Sequence, residues 1–162
     1  PLPEAQVDRF MFKVNISYPS KAEELEIMKR VAYDKTVNIN PVLSIEALIG
    51  ARDLVNKIYL DDKIKEYIVE LIHATRKPAE SGLKDIEQFV QFGASPRATI
   101  YLNKASRINA FLSGRSYVTP QDVKSVGADI LRHRIILSYE AEAEDITTDE
   151  IIKNIFDNID VP

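Results

Sequence analysis

Short polar side chains stand ahead of apolar runs of helical period along much of this chain. Ser20 has Glu23 three residues on, Ser44 precedes Ile45, Leu48 and Ile49, and Asp61 or Asp62 precedes Ile64, Ile68, Leu71 and Ile72. Ser95 and Thr119 are each followed directly by proline, at Pro96 and Pro120. A Ser, Thr or Asp at such a place accepts a hydrogen bond from the free N–H groups of the first turn, and a glutamate three residues later returns the bond. Proline in the next position loses nothing, since its missing N–H would have had no partner inside the helix.

This punctuation predicts a mainly α chain. Helices are expected over 21–33, from Ser44 to about Ile58, from Asp61 or Asp62 to about Arg76, from Ser95 to about Leu112 with a stop at Gly114, from Thr119 to about Leu131, and over 147–159. Ile45, Leu48, Ile49, Leu54 and Val55 recur at the spacing of a buried helical stripe. Residues 38–43, with Pro41, read as a loop. Residues 77–94 carry Pro78, Gly82 and Gly93 around a short apolar piece at 86–92, a connector with a partial turn or helix. A connector that long is uncommon unless it serves a site. Residues 134–137 suit a short strand or an extended link.

The beginning of the chain differs in character. Pro3 suits the start of a short helix, and Phe12, Val14 and Ile16 then alternate with Lys13 and Asn15, the period-2 pattern of a strand. One strand has no partner for its N–H and C=O groups and is not stable alone. The expected architecture is therefore a helical bundle preceded by a short helix and an orphan strand from a truncated α/β core. The absence of an initial methionine also fits a fragment of a longer protein.

Bulk properties narrow the function classes. The 162 residues suit one ordinary domain, or one domain with a remnant of another. A net charge of −4 disfavours a nucleic-acid partner, because phosphate contacts call for a basic face. A strip of Lys104, Arg107 and Arg115 is more simply a solvated helix face. With no cysteine, disulfides, thiolate metal sites and cysteine nucleophiles are all excluded, in keeping with a cytoplasmic location. No apolar run approaches the roughly 20 residues that cross a bilayer. His73 and His133 lack a second histidine or cysteine at metal-ligand spacing, so no metal site is expected; His133 reads as polar surface at a helix end.

Two arginines are candidates for chemistry. Arg97 lies in the first turn of a capped helix, where free N–H groups and the helix dipole attract anions, and a planar guanidinium beside such a terminus suits a phosphate. Arg9 lies between the short helix and the strand. For each the plain alternative is a surface arginine, with Asp8 or Glu4 as a local partner for Arg9. No phosphate-binding G-x-x-x-x-G-K-[ST] loop occurs, so no complete active site is present.

Several segments in order resemble one family. Leu2-Pro3-Glu4-Ala5-Gln6-Val7-Asp8-Arg9-Phe10 resembles the segment that ends the ATPase core of MoxR-type AAA+ proteins, and Gly93-Ala94-Ser95-Pro96-Arg97-Ala98 resembles their sensor-2 motif. Tyr117-Val118-Thr119-Pro120-Gln121-Asp122-Val123 resembles the start of the family's next helix. Ile130-Leu131-Arg132-His133-Arg134-Ile135, followed by Ser138-Tyr139-Glu140-Ala141-Glu142-Ala143, resembles its C-terminal signature.

The resemblance implies that residues 1–17 end the nucleotide-binding core and that 18–162 form the helical lid. It implies Arg97 as sensor 2, reaching the phosphates of its own subunit, and Arg9 as an arginine finger acting on the next subunit of a ring, expected to be a hexamer. Tyr18 would lie near the adenine. ATP and Mg²⁺ would be the cofactors of the full-length protein, and this part alone, without the phosphate loop, would bind neither and be inactive. The implied work is chaperone-like remodelling or maturation of client proteins, often beside a von Willebrand factor A-type partner, with no nucleic acid and no membrane insertion. The competing reading is a stand-alone helical interaction module without a nucleotide role.

Overall fold

A computed structural model describes residues 2–32 and 39–162. The end of the first long predicted helix, at Tyr33, and the start of the loop expected at Asn38 lie outside the described residues. Helices are α1 (Glu4–Val7), α2 (Lys21–Val31), α3 (Ile45–Lys57), α4 (Asp62–Arg76), α5 (Lys84–Glu87), α6 (Pro96–Leu112), α7 (Pro120–Leu131), α8 (Tyr139–Ala143) and α9 (Thr148–Asn158). A single 3₁₀ turn covers Ala79–Ser81. Two short strands, β1 (Val90–Phe92) and β2 (Ile136–Leu137), pair antiparallel with an irregularity between Val90 and Phe92. The expected mainly helical architecture is what the chain adopts.

Most predicted boundaries hold because their causes are local. Ser20 and Glu23 close a reciprocal capping box on α2, and Thr147 and Glu150 do the same on α9. At α7 the Asp122 carboxylate accepts from both the N–H and the hydroxyl of Thr119, at 2.7 and 2.8 Å. Gly114 ends the α6 region with φ of 71°, a left-handed conformation that a residue without a Cβ adopts at little cost. Within residues 77–94 the expected connector resolves into the 3₁₀ turn, α5 and β1. Residues 134–137 supply β2, and α8 follows it.

The core lies among α4, α6, α7 and α9. Tyr67, Ile68, Leu71 and Ile72 of α4 pack with Leu102 and Ala105 of α6, Val123, Ile130 and Leu131 of α7, and Ile151, Ile152 and Ile155 of α9. Each large aliphatic side chain so enclosed contributes roughly 1.5–3 kcal/mol relative to exposure. The linker into α4 is tied in by a parallel bridge: Tyr59 N–H donates to Ser116 O at 2.8 Å, and Val118 N–H to Tyr59 O at 3.0 Å.

One sequence expectation meets a correction here. The stripe of Ile45, Leu48, Ile49 and Leu54 on α3 is not buried; each is more than half exposed. The helix forms with the expected cap, Ser44, but amphipathic spacing states only which face could be covered, and the described residues do not cover it. Leu25, Ile27, Met28 and Val31 of α2 are likewise exposed. Residues 11–16, alternating as a strand would, form no ladder among the described residues. Lys13 N–H instead donates to Asp129 O in α7 at 2.8 Å. Among the described residues no helix is long and apolar enough to cross a membrane.

Candidate functional site

The loop into α6 is built on the last turn of α4. Thr75 donates its hydroxyl to Ile72 O at 2.7 Å and accepts from Ala94 N–H at 3.0 Å, both buried. Arg76 Nε donates to Ala94 O at 2.6 Å. Gly93 is pressed against that turn so closely that a Cβ there would meet Thr75 O at 2.2 Å. This pinning fixes where Ser95 caps α6 and therefore where Arg97 begins.

Asp8, just past α1, enters that same place. Ser95 Oγ donates to both carboxylate oxygens at 3.0 Å, Arg97 Nη1 donates to Oδ2 at 2.9 Å, and Arg134 Nε donates to Oδ1 at 3.0 Å. Burial works to raise the Asp8 pKa, but the bonds from Arg97 and Ser95, with the charge of Arg134, outweigh it and hold the carboxyl below its usual range. Arg134 is fully enclosed as a side chain, whereas Arg97 is nearly half exposed. Burial alone would lower the Arg134 pKa and Asp8 opposes that; the net direction is down.

The chain around Asp8 is gripped from the same side. Arg134 Nη2 donates to the carbonyls of Asp8 and Phe10 at 2.8 and 2.6 Å, and its Nη1 to Met11 O at 3.3 Å and to Ile130 O. Tyr101, whose ring lies 5.0 Å from the Arg134 guanidinium carbon, donates its hydroxyl to Arg9 O at 3.1 Å. His133 Nε2 donates to Phe10 O at 2.9 Å. A carbonyl can only accept, so Nε2 carries the proton. Nδ1 is left buried and without a partner among the described residues.

Residues 83–155 match the AAA lid domain family. Chaperone MoxR1 of Mycobacterium tuberculosis is 40% identical over all of this chain, which covers 43% of that protein. An uncharacterised protein, YeaC of Bacillus subtilis, is 38% identical over all of the chain, which covers 48% of it. A solved structure, of a candidate ATPase from Cytophaga hutchinsonii, superposes with a TM-score of 0.95 at 44% identity, with all of this chain covering 49% of that one.

The chain resembles part of the MoxR-type AAA+ ATPases. It spans about half the length of the curated relatives it matches. The lid-domain match takes in α5 to α8 and most of α9, and leaves α1 to α4 outside it.

Of the three site residues read from the MoxR resemblance, the structure brings the Arg97 side chain and the Arg9 main-chain carbonyl to one cluster. Arg97 pairs with Asp8, and the next residue after Asp8 is Arg9, whose side chain is exposed and has no hydrogen bond or ion pair among the described residues. Arg9 therefore does not pair with Asp8 or Glu4. Tyr18 is almost wholly exposed ahead of α2, and no hydrogen bond joins it to the cluster.

Asp8, Tyr101 and Arg134 were not singled out from sequence. The available signal was Arg134 itself, a charge directly followed by Ile135, Ile136 and Leu137. His133, expected on the polar surface, is instead half-buried against Phe10, because the docked segment covers it. Arg115 does not belong to a basic strip either: it bonds to the buried Asp122 carboxylate, and Arg107 bonds to Asn56 O.

Proposed function

We propose that this chain is the lid end of a ring-forming ATPase whose nucleotide site is completed by Arg97 from its own subunit and Arg9 from a neighbour. Residues 1–17 close the nucleotide-binding core and 18–162 form the lid. ATP and Mg²⁺ belong to the longer protein, whose phosphate-binding loop lies outside this chain, so this part by itself is inactive. Tyr18 offers an exposed ring at the core–lid hinge for the adenine.

The supporting observation is the Asp8 cluster. It joins the α6 start to the α1 end, so that the Arg97 side chain and the Arg9 main chain lie in one hydrogen-bonded cluster although 87 residues separate Ser95 from Asp8. Phosphoryl transfer spreads charge over the γ-phosphate oxygens, and guanidinium groups placed beforehand stabilise it without reorganising at the moment of reaction. An arginine supplied in trans is worth roughly 10³–10⁵ in rate. Hydrolysis would then depend on assembly, and lid movement would carry the nucleotide state to client proteins, in line with the chaperone name of the M. tuberculosis relative.

The test is Arg9→Ala in the longer protein. Turnover should vanish while ATP binding is kept. Mixing with subunits that cannot bind ATP but retain their own Arg9 should restore turnover at the variant's sites. No recovery on mixing would count against action in trans.

The uncovered apolar faces of α2 and α3 favour a second role as a docking surface for a partner protein. Partner capture that ignores nucleotide would favour the stand-alone module; capture that follows the ATP state would favour the ATPase.

A further inference from the structure

Arg134 has no part in the reading above, yet it is the most completely engaged side chain near the cluster. A guanidinium presents five N–H donors in a fixed fork. Here the fork is enclosed and spent on the Asp8 carboxylate and on the carbonyls of Asp8, Phe10, Met11 and Ile130. The missing carbonyl in that run, of Arg9, is taken by Tyr101. The Phe10 carbonyl also accepts from His133. Four consecutive carbonyls, from Asp8 to Met11, are therefore all held by side chains from α6 and from the segment after α7. The Arg9 side chain projects into solvent, and the Phe10 ring beside it is more than half exposed.

Such an arrangement fixes a main chain while leaving the Arg9 side chain outside. A segment held only by side-chain packing could rotate about its own axis. One whose consecutive carbonyls are each hydrogen-bonded has its peptide planes set, and with them the direction of the Arg9 Cα–Cβ bond. We propose that Arg134, with Tyr101, is the positioning residue for Arg9: it orients the backbone that aims the arginine at a neighbouring subunit's nucleotide. The proposal rests on the reading of Arg9 as a finger in trans. Misplacement of a catalytic group by about 1 Å can cost about 10²-fold in rate. Lysine cannot substitute, because a point charge on a flexible stem has no fork to divide among several carbonyls.

The experiment uses the longer protein with Arg134→Lys, Tyr101→Phe and Arg9→Ala side by side. Arg134→Lys should lower kcat at saturating ATP at least about tenfold, and Tyr101→Phe, which removes one hydroxyl, should lower it less. Mixed with subunits that cannot bind ATP but are otherwise intact, Arg134→Lys subunits should regain turnover at their own sites, because the neighbour supplies a correctly aimed Arg9. In the converse mixture, wild-type subunits beside Arg134→Lys subunits that cannot bind ATP should gain nothing. Wild-type turnover by Arg134→Lys with Arg9→Ala inactive would overturn the positioning role and leave the finger standing. Wild-type turnover by Arg9→Ala would overturn both. Loss in Arg134→Lys that mixing does not relieve would assign Arg134 to folding alone. Should Arg134→Lys fail to fold, Tyr101→Phe decides: unchanged kcat overturns the proposal, and a reduction relieved by mixing supports it.

Discussion

Arg97 donates to Asp8 at 2.9 Å across 89 positions of sequence. That bond ties the start of α6 to the end of α1, and Asp8 extends the tie to Arg134. The two arginines stand differently toward solvent, and this separates their effects. Arg97 is about half exposed, so Arg97→Ala should change the urea-unfolding free energy of this chain by less than about 1 kcal/mol. In the longer protein the same substitution should lower ATP turnover at least about tenfold, a loss of transition-state stabilisation of about 1.4 kcal/mol or more. Turnover near wild type at saturating ATP would remove Arg97 from the site.

Asp8→Ala should behave in the opposite way. It leaves the enclosed Arg134 guanidinium without its carboxylate. Breaking a buried pair from one side costs about 3–5 kcal/mol. Arg134 keeps its carbonyl partners, so the lower part of that range is expected, measured as a shift in the urea midpoint. A change below about 1 kcal/mol would mean that the carbonyls alone suffice.

The Asp122 carboxylate makes the chain acid-sensitive. Burial works to raise its pKa, but bonds from Arg115, Thr119 and Asn109 overcome this and drive it far below the usual value. A carboxylate depressed in the folded state contributes stability that is present above its unfolded pKa, near 3.8, and lost as pH falls toward the folded value. Asp8 adds in the same direction. Asp122→Asn should be less stable than wild type at pH 7 and should show a flatter loss of stability below pH 4 in circular dichroism melts. An unchanged acid slope would contradict the assignment.

His133 should act at milder pH. Burial lowers its pKa first and the Arg134 charge adds to that, against the bond to Phe10 O and the charge of Asp8; Lys13 also disfavours the cation. The folded state thus holds His133 neutral more strongly than the unfolded chain does. Its penalty appears as pH falls below the unfolded value, about 6.5, and is complete below the folded one. The melting temperature should fall between pH 7.5 and 5.5, and His133→Gln, which keeps a donor for Phe10 O, should reduce that fall. Equal slopes in the two proteins would exclude His133 as the group.

Two glycines allow a comparison of backbone with side-chain crowding. A Cβ on Gly93 would meet the main chain of Thr75 and Arg76, at 2.2 to 2.6 Å. One on Gly127 would meet only the ring of Phe156. Overpacking costs typically about 1–3 kcal/mol. Gly93→Ala should lie at or above the top of that range, and Gly127→Ala below it because an aromatic ring can turn aside. Thermal melts that rank the pair in reverse would show that the α4–α6 contact yields more readily than its geometry implies.

The helices were legible in sequence wherever the cause lay within one turn. Ser95 with Pro96, Thr119 with Pro120, and the Ser20–Glu23 box each act over three residues or fewer, so their readings need no knowledge of the rest of the fold. The apolar spacing of α4 likewise named a face that is buried. The spacing of α3 named a face that the described residues leave open, because periodicity identifies a surface and never its partner. Arg9 and Arg97 were found through resemblance rather than through geometry.

What only tertiary structure decided is the company these arginines keep. Asp8 and Arg134 are 126 residues apart, and nothing in a local pattern joins them. Arg132, His133 and Arg134 are adjacent in sequence. In the fold Arg132 faces Asp129 and Asp149, His133 lies against Phe10, and Arg134 is enclosed. The difference arises because the segment from Asp8 to Lys13 crosses over the end of α7. Its free carbonyls must find donors once water is removed. Capping, turns and helical period were set by the sequence through contacts a few residues long. The choice of which charge to bury was set by that crossing, which exists only when the chain is folded.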